Sequence, residues 1–222
     1  MSTITLNRGQ ARYFVDVALS AASTDAVTPV ICGARVTVED GRLRVVCTDR
    51  YRAHTALVEA ESIEGEPEVI VPRQALLWLR SNQTYFGSSM RDYQRIVIEA
   101  TPRDENSFVG GELVVTVKKH EQEDAGSVQW AGKHVNGKFP PIITLIEKAR
   151  DAEAVLATPR FRLDFLGRMS VLGKDGPEFA PRIKFTANDN PDKHGPVYVS
   201  WSDTADGAPY AEALVQPYME RS

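Results

Sequence analysis

Apolar positions along the chain switch between a helical period and a period of two, and the switch recurs. Thr3 to Leu6 alternate as a short strand, and Asn7 stands where a helix N-cap belongs. Ala11, Phe14, Val15, Ala18 and Leu19 then fall at i, i+3, i+4, i+7 and i+8, one apolar stripe of a helix. After a small-polar loop from Ala21 to Thr28, Val30 to Val38 and Arg42 to Cys47 alternate around Asp40-Gly41. That dipeptide supplies the two positive-φ positions of a tight I′ turn, so the stretch predicts a β-hairpin. Its second arm sets Leu43, Val45 and Cys47 against Arg42, Arg44 and Val46, and it runs out through Thr48 to Arg52.

The pattern then repeats. Glu68 to Val71 predicts a strand, with Pro72 at the first helical position, where a missing N–H costs nothing. Arg73 to Asn82 predicts a helix burying Ala75, Leu76 and Leu79, and strands follow over Arg95 to Ala100, Glu112 to Lys119 and Ser127 to Trp130. The junction GKFPPIITLIEKARDAEA contains two prolines that interrupt any helix there, so Ile142 to Glu153 reads as a helical turn or an extended linker. A third round is shorter. Val155 to Thr158 predicts a strand, Leu163 to Leu172 a helix burying Phe165, Leu166, Met169 and Leu172, and three strands follow over Arg182 to Ala187, Val197 to Ser202 and Ala211 to Val215. One helix followed by several strands, three times, predicts an α+β fold with helices on one face of antiparallel sheets. The organisation divides into a complete module over residues 1–148 and a shorter one over 149–222.

The 222 residues suffice for one large domain or two small ones, and 42% apolar with 25% charged residues is ordinary for a globular protein. A net charge of −4 argues against a surface that coats nucleic acid everywhere, but leaves room for a basic face on an acidic body. The two cysteines, Cys32 and Cys47, lie on the two hairpin arms and read as small buried apolar residues. No apolar run resembles a signal peptide or approaches the ~20 residues of a membrane span, so the expected compartment is the cytoplasm.

Four motifs, in order, resemble the bacterial DNA polymerase III β subunit, the sliding clamp. CTDRYRAH stands where that family has a hairpin ending in Thr-Asp-Gly-His-Arg-Leu. VPRQALLWL matches its Val-Pro-Arg helix start, GKFPPIITLI its Gly-x-Phe-Pro junction between modules, and ALVQPYMERS its C-terminal strand and tail. The order fits the family's middle module followed by the closing half of its last one. The resemblance implies a DNA-clamp-like fold and a protein without catalysis or cofactor. Such a protein encircles duplex DNA as a homo-oligomeric ring and tethers a polymerase, which raises its effective concentration. It implies six modules per ring: three copies if this chain makes about two modules, and about four copies, or a ring that does not close, if it makes one and a half.

A ring that slides needs phosphate contacts rather than base contacts. The helices carry Arg8, Arg12, Arg73, Arg80 and Arg168, with Asp16 and Asp164 among them; such exposed arginines are also commonly just solvated. The resemblance further implies a groove for peptides of polymerases and clamp loaders at Ile31, Thr48, Arg52, Leu214 and Gln216. Here Arg50 replaces a glycine, Tyr51 a histidine and Gln216 a methionine. Arg50 is expected to narrow the groove, and Gln216 to weaken apolar burial of a peptide. Thr48 and Arg52 serve equally well as a structural turn. His54, His120, His134 and His194 show no metal-ligand spacing, and neither a phosphate loop nor a nucleophile elbow occurs. A second reading is a clamp-fold interaction protein that regulates a polymerase, loader or host clamp without encircling DNA.

Overall fold

The computed structural model describes all residues except 88–93, 103–109, 120–125, 157–161, 174–179, 189, 191–192, 205–206 and 218–222. The first strand, β1 (Ser2–Asn7), ends in a capping box: Asn7 Oδ1 accepts from the Gln10 N–H at 2.9 Å, and Gln10 Oε1 accepts from the Asn7 N–H at 2.9 Å. The cap launches α1 (Arg8–Ser20), whose predicted stripe is buried in full. A 3₁₀ turn (Pro29–Ile31) takes the start of the expected first hairpin arm, and the strand proper is β2 (Gly33–Glu39). The turn at Asp40 and Gly41 has φ of 51° and 74°, as a I′ hairpin requires, and leads into β3 (Arg42–Thr48). β4 (Arg52–Val58) and the short β5 (Ser62–Glu64) follow.

The second round is β6 (Val69–Pro72), α2 (Arg73–Asn82), β7 (Gln94–Ala100), β8 (Glu112–Lys119) and β9 (Ser127–Lys133). Pro72 is the N-cap, with ψ 148°, rather than the first helical residue. The junction is a full helix, α3 (Ile142–Asp151), with Pro141 as its N-cap. The third round has α4 (Leu163–Met169), a 3₁₀ turn (Ser170–Leu172), β10 (Arg182–Phe185), β11 (Val197–Ser202) and β12 (Pro209–Val215). Leu166, expected in the core, is 39% exposed: Phe165 and Met169 hold the buried face of α4, Leu172 is buried in the 3₁₀ turn that follows, and Leu166 lies beside Phe165 on the exposed side.

Two antiparallel sheets result, in the orders β5-β1-β7-β8-β9 and β10-β11-β12-β4-β3-β2-β6. The first strand of each round crosses over: β1 pairs with β7 of the second round, and β6 pairs with β2 of the first. The larger sheet runs unbroken across the junction because β12 pairs with β4. Strand alternation then sorts residues to two layers. Leu43, Val45, Cys47, Val199, Ala211 and Ala213 face a main core shared with α1, α2 and α4. Val46, Ala53, Tyr198 and Leu214 face the other way and pack under Ile142, Ile146 and Ala149 of α3. Three helices therefore share one face, as expected, while α3 covers the opposite one. No helix among the described residues is long and apolar enough to cross a membrane.

Candidate partner groove and helix face

The turn between β3 and β4 is built by Asp49. Its carboxylate accepts the backbone N–H groups of Tyr51 (3.1 Å) and Arg52 (3.0 Å), and Nε of Arg52 at 2.9 Å. The Thr48 hydroxyl donates to the Arg52 carbonyl at 2.8 Å. These bonds bury Thr48 and Arg52 and close the turn on itself. The Arg52 guanidinium lies 4.8 Å from the Phe165 ring centre on α4, with the Tyr51 ring stacked 6.5 Å away. The Gln216 N–H donates to the Tyr51 carbonyl at 2.8 Å, which ties the end of β12 to the same turn.

Arg50 occupies φ 78°, a region that costs a non-glycine residue about 1 kcal/mol or more. Its guanidinium reaches Asp25 at 3.2 Å and the Thr28 hydroxyl. The side chain thus turns to the Asp25–Thr28 loop and does not line the pocket at β12, contrary to the narrowing expected from its bulk. Arg50→Gly is expected to relieve the backbone while losing an exposed ion pair worth about 1 kcal/mol at most. Stability by urea titration should stay within about 1 kcal/mol of the parent, while hydrogen exchange at residues 25–28 accelerates. A loss beyond about 2 kcal/mol would show that the loop tie outweighs the strain.

A cavity of about 210 Å³ opens where the C-terminal half of α3 meets β12, lined by Leu145, Lys148, Ala149, Pro196, Leu214 and Gln216 among others. Of the five groove positions, the structure places Leu214 and Gln216 here. Thr48 and Arg52 form the neighbouring turn, and Ile31 is buried in the 3₁₀ turn before β2. Leu145, half exposed at the mouth, was not expected from sequence; its place depends on α3 being helical. A larger space of about 620 Å³ lies between the 134–144 segment and β2, β3 and β6.

α3 is held down by a polar network as well as by its apolar face. Arg150 donates through Nε and Nη2 to the two carboxylate oxygens of Glu212, both at 2.8 Å, and the Tyr198 hydroxyl donates to the same carboxylate at 2.7 Å. The Glu212 hydrogen bond holds the Arg150 guanidinium protonated far above its ordinary range, and burial pushes the Tyr198 phenol up to about 12. Lys184 caps the helix end, donating to the Arg150 and Ala152 carbonyls.

On the opposite face, Arg12 pairs with Asp16 at 3.7 Å. Burial raises the Asp16 carboxyl above its ordinary range, against the pull of Arg12 and Arg80. Arg8 reaches the Gly87 carbonyl at 3.5 Å from a half-buried position, and Arg73 is likewise half-buried. Arg80 and Arg168 project into solvent. Asp164, expected beside Arg168, instead bonds Arg162 at 3.1 Å. No grouping of three metal-ligating side chains occurs among the described residues.

Two sheets with crossed-over lead strands, helices on a common face and a junction helix outside define a DNA-clamp fold. The chain is similar over nearly its whole length to solved bacterial sliding clamps. It matches the DNA polymerase sliding clamp of Bacillus subtilis with a TM-score of 0.64 and 14% identity, over 99% of this chain and 64% of that one. For the C. crescentus β sliding clamp the TM-score is 0.62 and the identity 18%, over 98% and 66% of the two chains. For the DNA polymerase III subunit β of Pseudomonas aeruginosa, the TM-score is 0.60 and the identity 13%, over 99% and 67%. The chain thus spans about two thirds of the length of the clamps it matches. No family model matches it, and no curated protein does.

Proposed function

We propose that the chain is a shortened sliding clamp, a non-enzymatic processivity factor that encircles duplex DNA as a homo-oligomer and tethers a replicative polymerase. The observation that carries this reading is that the likeness to bacterial clamps runs through 99% of the chain. In it, residues 1–148 make a complete module and 149–222 a shorter one. The face of α1, α2 and α4 presents Arg8, Arg12, Arg73, Arg80 and Arg168 to phosphates. Peptides from the polymerase or clamp loader enter between α3 and β12, against Leu145, Leu214 and Gln216, beside the Thr48–Arg52 turn and Ile31.

The test is primer extension on a primed circular template with a bacterial polymerase III core and its clamp loader. Longer products at limiting polymerase are expected, and linear DNA with free ends should not retain the chain. Arg73→Glu and Arg80→Glu should each weaken DNA binding uniformly across sequences and flatten its logarithmic salt dependence by about 0.9 per lost phosphate contact. Absence of stimulation would overturn the clamp reading.

A second reading is favoured by one observation: the apolar side chains beneath α3, Ala53 and Leu214 included, are already covered by Ile142 and Ile146 of the same chain. A peptide then has less floor to occupy. In that reading the protein binds a polymerase, loader or host clamp and regulates it without encircling DNA. Tight binding to such a protein with no gain in processivity is its signature.

A further inference from the structure

A carboxylate stands among the arginines of the helix face. Asp16 lies one turn after Arg12 on α1, and the two pair at 3.7 Å. Arg80, on the neighbouring helix α2, pulls on the same carboxyl. Arg12 and Asp16 also line an open cleft of about 520 Å³ between α1 and the 3₁₀ turn that follows α4, with Gly9, Tyr13 and Ser170 among its walls. The two wall hydroxyls are already engaged: Tyr13 donates to the Leu172 carbonyl at 3.0 Å and Ser170 to the Gly167 carbonyl at 2.8 Å. Arg12 and Asp16 are therefore the charged side chains that line this cleft.

The ion pair gives α1 little stability. A base followed four residues later by an acid is the weaker order on a helix. The Arg12 side chain is 76% exposed, so solvent screens the attraction. Burial meanwhile works against the charge on Asp16. What the carboxylate changes is the charge of its surroundings. Two guanidiniums and one carboxylate leave a single net positive charge, where Arg12 and Arg80 alone would present two. The subtraction falls on the face that carries the other helix arginines.

On the clamp reading, which brings duplex DNA to this face, we propose that Asp16 is a positioning residue that limits the hold of the helices on phosphates. It gathers Arg12 and Arg80 at the cleft and competes with an incoming phosphate for both. A phosphate that enters the cleft meets Arg12 and the Asp16 carboxylate together, so attraction and repulsion partly cancel. Non-specific grip on DNA comes from phosphate neutralisation, and each fully neutralised phosphate strengthens it. A counter-charge one helical turn from Arg12 weakens that contact wherever along the duplex it forms. The face then holds DNA without fixing it in one place, which is what passage along a duplex needs.

Fluorescence anisotropy of the full chain on a short mixed-sequence duplex, titrated over a range of salt, tests it. Asp16→Asn is expected to tighten binding about fivefold or more near about 0.1 M salt and to steepen the logarithmic salt dependence by about 0.9, because one more phosphate is neutralised. Circular dichroism should stay that of the parent. With Arg12→Gln and Arg80→Gln both in place, the gain from Asp16→Asn should shrink below about twofold, since no guanidinium is left to release. Glu147→Gln, on α3 at the opposite face, removes the same net charge and should leave affinity within about twofold of the parent. An Asp16→Asn variant that binds as the parent does, a gain that survives the loss of both arginines, or an equal gain from Glu147→Gln overturns the proposal and leaves the clamp reading standing. Tighter binding by Asp16→Asn in a chain that never stimulates a polymerase supports the proposal and sinks only the clamp reading. If neither parent nor variant binds the duplex at low salt, the face does not meet phosphates and both fall.

Discussion

Arg150→Met is expected to destabilise the protein by about 3 kcal/mol and to lower its melting temperature by roughly 6–12 °C. The effect comes from the group left behind. The Glu212 side chain is 1% exposed on β12, and among the described residues Arg150 supplies two of its three hydrogen bonds. Without the guanidinium, a buried carboxylate keeps, among the described residues, only the Tyr198 hydroxyl. Arg150 itself is 41% exposed, so its own desolvation is modest and the figure lies at the low end for a broken buried pair. The control is the double variant Arg150→Met with Glu212→Leu. Replacing both partners by apolar side chains of similar volume should restore most of the loss. A double variant as unstable as the single one would show that the cost came from packing. The functional consequence is local: Arg150 fixes the end of α3, and α3 supplies Leu145 and Ala149 to the pocket at Leu214. Under the proposed clamp reading, peptide affinity of the single variant should fall with stability, and recover only if the double variant seats the helix again.

The same helix shows why part of the fold was legible in the sequence and part was not. α2 and β8 have the bounds their residue patterns predict, because each lays one apolar face on a single core. α3 was obscured by Pro140 and Pro141. Those prolines stand before the first turn, where no N–H is required, and Ile142, Ile146 and Ala149 then fall at i, i+4 and i+7. β4 has no alternation because both its faces are covered; all seven residues from Arg52 to Val58 are buried, polar His54 and Thr55 among them. In the candidate groove, Leu214 and Gln216 came from a motif, whereas Leu145 depended on the helix that the prolines hid. The Arg150–Glu212 pair joins residues 62 apart, and no local spacing announces it. The direction of the Arg50 side chain was equally invisible, since its acceptors, Asp25 and Thr28, lie in a loop with no periodicity.

His54 is expected to make the β4–β12 seam sensitive to acid. It lies on β4 between Cys47 of β3 and Ala213 of β12, and is fully buried. The Ser20 hydroxyl donates to the Val17 carbonyl at 2.7 Å, so its oxygen accepts from Nδ1–H of His54, also at 2.7 Å. That fixes the neutral tautomer. Nε2 is buried and has no partner among the described residues, so a proton placed there brings a charge with no acceptor. Burial, and secondarily the nearby Arg52 charge, push the imidazole down to about 3 from its ordinary 6.5. The unfolded chain therefore binds a proton near pH 6.5 that the folded chain refuses until about pH 3, and stability falls as pH drops through that window. The limiting slope is about 1.4 kcal/mol per pH unit, so roughly 2–3 kcal/mol is lost between about pH 6 and pH 4. Glu39, whose carboxyl is held low by its hydrogen bond to Arg44, adds a loss in the same direction only below its unfolded value of 4.5. Asp16, whose carboxyl burial raises, acts in the opposite direction as pH falls, so the difference between the parent and His54→Gln isolates the histidine. Urea titrations above 4.5 should show the parent declining relative to His54→Gln, whatever the variant's stability at neutral pH. A parent curve parallel to that of the variant would mean that the imidazole titrates freely, which requires the β4–β12 seam to admit water.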